Sequence, residues 1–429
     1  MDDITQNFAD GAATIGEAIG FDPIGSSAAA PRPLLPPRLA TTPAFPEPGI
    51  YFDMDEDVYH AIPACSQSGM KKLGSSPMLF WATSWMNPKR PTSESRFKNL
   101  GKAYHCRVME PHCYMQRFAR ALVPDDVVSG TSRPILVSTD DIKGALADLG
   151  VAAPSKLGTG VFVPAPTKAD PDKKKENTRS VVKADLVAML LELDPDAMIW
   201  DQVVADYQAE HAGKILIDGE EADRVEIAAR MIELDEELKD AFTGGHAEVS
   251  IFWFCARTGA PMKARMDYLK ARAIVDLKSF SNPLELTIDR AIGRAMANGK
   301  YPVQVVNYLE AVEAAKAMIR QRGASAIAIN PFLPAATRDA TLEWAMRWAK
   351  VEERPEFLYV FQQTGIAPVT RGVWFPIGGT TYTIAKDAVE RLKRKFVECA
   401  QAFGTDPWLD VAPTYTIPDE EIPSYATDL

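Results

Sequence analysis

Cysteine is scarce in this chain of 429 residues, with Cys65, Cys106, Cys113, Cys255 and Cys399 as the full set. No two of them form a C-x-x-C pair or any other zinc-like spacing, which excludes a zinc ribbon or finger. Several lie in apolar surroundings and read as reduced core residues. A G-x-x-x-x-G-K-[ST] phosphate loop is also missing, so neither ATP hydrolysis nor a fused helicase motor is expected. There is no apolar run of membrane-spanning length and no leader with a cleavage site. The expected location is therefore the cytoplasm, with no membrane partner. Positive charge is not in excess either. A formal net charge of −11 argues against nucleic-acid binding over the whole surface, but it leaves room for a local cationic cleft.

The length and a hydrophobic content of 46% allow two or three domains with a sizeable core. Residues 1–48 are small, polar and proline-rich, with seven prolines from Pro31 to Pro48, and read as a disordered arm. The fold proper is expected at 49–124 and 245–429, interrupted by a mainly helical insertion at 125–244. Ser66 is placed to cap a helix running toward Trp85, and Ser76-Pro77 to break or restart it. Within the insertion, Ser138 caps a helix that stops at Gly150. A lysine-rich loop follows (Lys168, Lys173, Lys174, Lys175, Arg179), then a helix over Lys183–Leu193. A further helix is expected from about Asp223 to Phe242, with Ile227, Met231, Leu234 and Leu238 on one face. Toward the end, Phe357–Gln362 and Val373–Thr383 read as strands, and a helix runs from Ala385 to Gly404. Its cationic run, Arg391, Lys393, Arg394 and Lys395, fits either a DNA contact or a solvated face. The tail after Pro418 is acidic and reads as extended.

The most informative stretch runs from Lys263 to Lys278 and reads as two strands joined by a tight turn. Asp276 and Lys278 are two apart on a strand, so they share a face, while Ile274 and Leu277 keep that strand buried. Folding the hairpin sets Asp267 beside Asp276. Two carboxylates and a lysine on a half-buried face have to be paired or used, and the oxygen pair suits a hard divalent cation. Alone, an Asp-x-Lys pair is more often a surface ion pair. Upstream, Gly101-Lys-Ala-Tyr-His105 begins a helical run stopped by Pro111, where His105 also fits a satisfied core histidine. Glu248 opens a strand leading toward Asp267. Downstream, Gln304 and Tyr308 stand at i and i+4 on one helical face, an arrangement that also fits an ordinary surface pair.

Taken in order, Gly-x-x-x-His, Glu, Asp, Asp-x-Lys and Gln-x-x-x-Tyr resemble the RecB-type branch of the PD-(D/E)xK nucleases. Tyr59-His60, the Ser66-to-Met70 phrase, Ser76-Pro77 and the run from Gly101 to Pro111 are similar more specifically to the RecE (exonuclease VIII) group. The likeness covers residues 50–112 and 245–312. It implies an α/β fold: a PD-(D/E)xK nuclease core with a mixed central sheet flanked by helices. It also implies roles. His105, Asp267, Asp276 and the Leu277 carbonyl would hold Mg²⁺, with Mn²⁺ able to substitute, and Glu248 would stand at the outer edge of the set. Lys278 would orient or activate water, while Gln304 and Tyr308 would line the site and hold DNA. The implied activity is 5′ to 3′ exonuclease digestion of double-stranded DNA ends. That would leave 3′ single strands for an annealing protein, with the enzyme as a ring-shaped homo-oligomer. Some RecB-type nucleases carry an iron–sulphur cluster on cysteines after the Gln-x-x-x-Tyr helix, but only Cys399 lies there, so no cluster is expected. An endonuclease of the same fold and a non-catalytic DNA-binding recombination partner are the alternatives.

A candidate DNA channel lies close by. From Lys71 to Arg107 the chain carries Lys71, Lys72, Lys89, Arg90, Arg96, Lys98, Lys102 and Arg107 against the single acid Glu94. These are interleaved with Phe80, Trp81, Trp85, Phe97 and Tyr104. Cations with aromatics suit phosphate contact and base stacking; the same pattern also fits a solvated helix face over core aromatics. Arg265 shares the Asp267 face and is read either as a DNA contact or as the ion-pair partner of Asp267. Finally, the helix, glycine turn and Lys-Ala-Asp-Leu phrase of the insertion resemble a SAP-like DNA-binding hairpin. Its loop lysines would touch phosphates, or would belong to a solvated loop.

Overall fold

A computed structural model describes residues 44–91, 96–128, 133–164, 169–170, 172–365, 368–410, 414 and 416–421. The expected proline-rich arm lies outside the described residues up to residue 43, as does the tail beyond residue 421. The chain forms two compact units, one of Met1–Glu110 with Ile227–Leu429 and one of Pro111–Glu226.

The larger unit is built on a seven-stranded mixed sheet flanked by helices, as the sequence predicts. Its strands are β1 (Gly49–Phe52), β2 (His246–Phe254), β3 (Pro261–Leu269), β4 (Ala273–Ser281), β5 (Ile327–Ile329), β6 (Glu356–Thr364) and β7 (Thr370–Trp374). They lie in the order β5-β1-β2-β3-β4-β6-β7. β1 runs parallel to β5 and β4 parallel to β6, while the remaining neighbours are antiparallel. β4 and β6 are buried on both faces, as strands covered on each side must be: Ile274, Val275, Asp276 and Leu277 are buried, and so are Phe357, Leu358, Tyr359 and Val360. The entry to β2 needs Gly245, because a Cβ there would meet the Leu269 carbonyl oxygen at 2.2 Å.

Helices begin where their caps allow. In α1 (Gln67–Ser75) the Ser66 hydroxyl accepts the Gly69 N–H at 3.1 Å. Ser76 ends α1 and caps the next helix, Pro77–Thr83, with proline in its first turn. α2 (Arg96–Met109) carries His105. α3 (Tyr301–Arg322) starts after Lys300, which takes a left-handed φ of 47°, and lies across β1, β2 and β3. Over that sheet the Asn307 amide donates to the Lys263 carbonyl at 3.4 Å and Trp253 Nε1 donates to Glu310 at 3.2 Å. Trp344 and Trp348 stack at 5.9 Å, in keeping with helix packing.

Three expectations need correction here. α4 (Thr380–Phe403) starts earlier than read, because the Gly378-Gly379 turn releases the chain into a helix, and the strand before it ends at Trp374. Lys393 on α4 is 0% exposed, held by Glu310 and by Glu390 at 3.2 Å, and so cannot touch DNA. The helix read as Asp223–Phe242 is Gly219–Leu234, and it buries Val225, Ala228, Ala229 and Ile232, leaving Ile227 and Leu234 exposed. It stops because the Asp235 carboxylate takes the N–H groups of Glu237 and Leu238.

The smaller unit packs the Ser138-capped helix Thr139–Asp148 on the helix Lys183–Leu193 through Ile142, Leu146, Leu186 and Leu190. The stretch read as a lysine-rich loop is instead largely an antiparallel ribbon, Lys156–Pro164 against Lys174–Ser180; Lys168 lies outside the described residues.

Candidate active site

The register of the sheet places three carboxylates in one row. β2 and β3 pair Ala247 with Tyr268 and Val249 with Met266, so Glu248 falls opposite Asp267. β3 and β4 pair Leu269 with Ile274 and Tyr268 with Val275, and the same register carried one step further sets Asp267 opposite Asp276. The ladder stops at that point. The Leu277 N–H, facing the gap, donates to Asp267 Oδ2 at 2.9 Å instead of to β3 backbone. The N–H and C=O of one strand residue point the same way, so the Leu277 carbonyl faces the same opening. Glu248 has a left-handed φ of 52° at its end of the row.

The predicted pieces gather around this split. Asp276 is 0% exposed, and its Oδ1 accepts the Gln304 amide N–H at 2.6 Å. Its Oδ2 faces the Lys278 ammonium in an ion pair, as the shared strand face requires, and takes no hydrogen bond among the described residues. Gln304 Oε1 is buried and equally without a partner among them. His105 Nδ1 lies 3.6 Å from Asp267 Oδ2.

Electrostatics follow from this crowding. Burial, and then the neighbouring Asp267, push the Asp276 carboxyl up to about 7. Burial likewise raises Asp267 to about 6 against the pull of Lys278. Burial opposes the Lys278 charge, yet the two aspartates outweigh it and hold the ammonium well above its ordinary range. Burial lowers His105. One ammonium thus serves two carboxylates in a dry site, which leaves it short of positive charge. A donor set of two aspartates, one carbonyl and one imidazole fits Mg²⁺ or Mn²⁺. Among the described residues no three His, Cys, Asp or Glu side chains are already drawn together as a metal cage.

The other sequence candidates are placed differently from their reading. Tyr308 donates its hydroxyl to the Arg265 carbonyl, and with Gln304 it is turned inward, away from any DNA strand. Arg265 pairs with Glu248, Nε to Oε2 at 2.6 Å, and not with Asp267; it also donates to the Met54 carbonyl at 2.8 Å, so it is not free to bind DNA. Glu248 stands diagonally across the ladder from Arg265, within reach of two long side chains. Lys102 pairs with Glu56 at 3.2 Å. Lys72 is partly buried, and burial lowers its ammonium. The Arg96 side chain and Phe97 side chain lie outside the described residues. Phe80, Trp81 and Tyr104 belong to the core, Phe80 stacking on Trp408 at 4.9 Å, so they are not a stacking platform for bases.

Lys71 does reach the site. Its Nζ stands 5.3 Å from the centroid of the Tyr301 ring, and Lys278 Nζ stands 5.6 Å from the same ring. Burial and then Lys278 push Lys71 down to about 8. Tyr301 is the residue that the sequence reading passed over. Its signal is position, since it precedes Gln304 by three on α3 and so shares that face.

No known protein-family model matches the chain, and no curated relative does. A solved structure of a candidate exonuclease from Eubacterium rectale aligns with a TM-score of 0.36 and 12% identity, over 77% of this chain and 80% of that one. A likeness that distant carries no functional argument, which rests on the residues above. Among the described residues no helix is long and apolar enough to cross a membrane.

Proposed function

We propose that the chain is a divalent-metal-dependent nuclease that hydrolyses phosphodiester bonds of DNA. The observation that carries this reading is the Asp267–Asp276 row with Lys278 and Gln304 at the point where the sheet splits. Asp267, Asp276, the Leu277 carbonyl and His105 would hold Mg²⁺ or Mn²⁺, with Glu248 and its Arg265 partner at the outer edge. A cation bound there supplies a hydroxide near neutral pH and offsets charge on the phosphate. Lys278, paired with Asp276 on the same strand face, would orient the attacking water and offset charge on the phosphate oxygens. Gln304 fixes the Asp276 carboxylate, and Tyr308 fixes the backbone of β3. Lys71 adds positive charge where a phosphate would approach.

The resemblance to the RecE group extends this to an exonuclease acting 5′ to 3′ on duplex ends and leaving a 3′ strand for an annealing partner. A ring-shaped oligomer suits an enzyme that spends no ATP, because enclosing the duplex keeps it from escaping. The test is digestion of linear and covalently closed duplex DNA with Mg²⁺, beside Asp276→Ala. The expected result is loss of linear DNA alone, with label at the 5′ end released first and the variant inert. Equal cutting of circles replaces the exonuclease with an endonuclease. No cleavage with either Mg²⁺ or Mn²⁺ makes the chain a DNA-binding partner without catalysis.

A further inference from the structure

The ribbon of the smaller unit has surface that its own fold does not use. Lys156–Pro164 and Lys174–Ser180 form a two-stranded sheet of their own. Every residue in them except Leu157 and Glu176 is exposed. Two-stranded ribbons are marginal in water without something to pack against. This one leaves Val161, Phe162 and Val163 at 57%, 61% and 41% exposure. Successive side chains alternate, so both faces carry apolar surface.

Charge on the ribbon is divided unevenly between internal and outward use. Glu176 closes the irregularity between Gly158 and Phe162, its carboxylate accepting the Gly160 N–H at 2.9 Å. Arg179 ties the root of the ribbon to the helix Lys183–Leu193 through Asp185, at 2.6 and 2.7 Å. Lys173, Lys174 and Lys175 stand in no ion pair among the described residues. Lys175 lies across the ladder from Val163, and Lys174 from Pro164. The outward surface is therefore an aliphatic and aromatic strip beside three lysines held in no ion pair among the described residues, on a chain whose net charge is −11.

We propose that this ribbon is a second DNA contact, lying in a groove of the duplex with Lys173, Lys174 and Lys175 on phosphates and Phe162 and its flanking valines against sugars and base edges. A B-form major groove, about 12 Å wide, admits a two-stranded ribbon. Phosphates supply the counter-charge that the lysines lack, and the sugar and base edges supply apolar contact beside it. A neutral protein groove would cover the valines and Phe162 but leave the lysines unpaired. The choice of DNA as the polyanion rests on the nuclease reading above.

The test uses the full chain carrying Asp276→Ala, so that DNA stays intact, and follows its binding to an end-labelled duplex by fluorescence anisotropy across a salt series. Lys173→Ala/Lys174→Ala/Lys175→Ala in that background should weaken binding tenfold or more and lower the slope of log affinity against log salt by about 2–3. Phe162→Ser should weaken binding about threefold to tenfold without changing the slope. Thermal melts should overlay that of the parent, because the altered side chains are exposed. Equal affinity in all three proteins overturns the proposal. So does ribbon-dependent binding to phosphatidylserine vesicles with DNA binding unchanged, which assigns the ribbon to a lipid surface. Ribbon-dependent DNA binding with no cleavage by the unaltered chain in Mg²⁺ or Mn²⁺ upholds the ribbon and removes the nuclease reading instead.

Discussion

Asp276 is set where folding alone would not put a carboxylate. It is fully buried, opposite Asp267, with Lys278 and Gln304 as its polar company. Both aspartates are raised, to about 7 and about 6, so the native state holds protons that the unfolded chain has released. From the unfolded value near about pH 4 up to about 7, stability without metal therefore falls as pH rises. Asp276→Asn should abolish hydrolysis and, in chelator at pH 7.5, raise stability by about 1–2 kcal/mol with a flatter pH profile. Urea unfolding at pH 5 and pH 7.5 checks both claims; a destabilised variant would mean that the pair earns its place structurally. The residues that were legible in the sequence are those placed by local periodicity: Asp276 and Lys278 by strand alternation, Gln304 and Tyr308 by helical spacing. What each one touches was less legible. The Glu248–Arg265 pair and the inward bond of Tyr308 depend on which strand and helix lie alongside, and that is set by tertiary register.

At the scale of elements, Lys263 of β3 joins the helix Glu56–Ala61 to the sheet. Its ammonium donates to the carbonyls of Tyr59 at 2.9 Å, His60 at 3.3 Å and Ile62 at 2.8 Å, and it lies 4.8 Å from the Tyr59 ring. Those carbonyls stand at the negative end of the helix, where a cation is favoured. Lys263→Met keeps the apolar stem and strands the carbonyls, at a cost of about 2–3 kcal/mol. Guanidinium melts measure this, and a loss under about 1 kcal/mol would show that water replaces the ammonium. Capped elements were the readable ones. Ser66, Ser76 and Ser138 each mark a start through a short-range bond in which the hydroxyl oxygen accepts a backbone N–H. The ribbon was read as a loop because a strand exposed on both faces lacks the apolar–polar alternation that announces one. The early start of α4 was hidden by Thr380-Thr-Tyr-Thr383, a strand-like composition that the turn at Gly378 overrides.

At the scale of the molecule, each of the two units has a core of its own, the smaller one around Ile142, Leu146, Leu186 and Leu190. Calorimetry of the full chain should resolve two transitions, the one of lower enthalpy belonging to the smaller unit. Mg²⁺ at about a hundred times its dissociation constant should stabilise the larger unit alone, by about 2.7 kcal/mol. A single transition, or a shift in both, would count against separate folding. The sequence delimited this arrangement only roughly, since the helix Gly219–Leu234 runs through the boundary and a continuous helix gives no composition change to read. Near the other boundary stands Arg107, and its guanidinium meets Glu233 at 3.6 Å, so the chain leaves and returns through one doorway. For an engineer the smaller unit is therefore a cassette: a short linker joining the two sides of that doorway should leave the row from Glu248 to Asp276 as it stands.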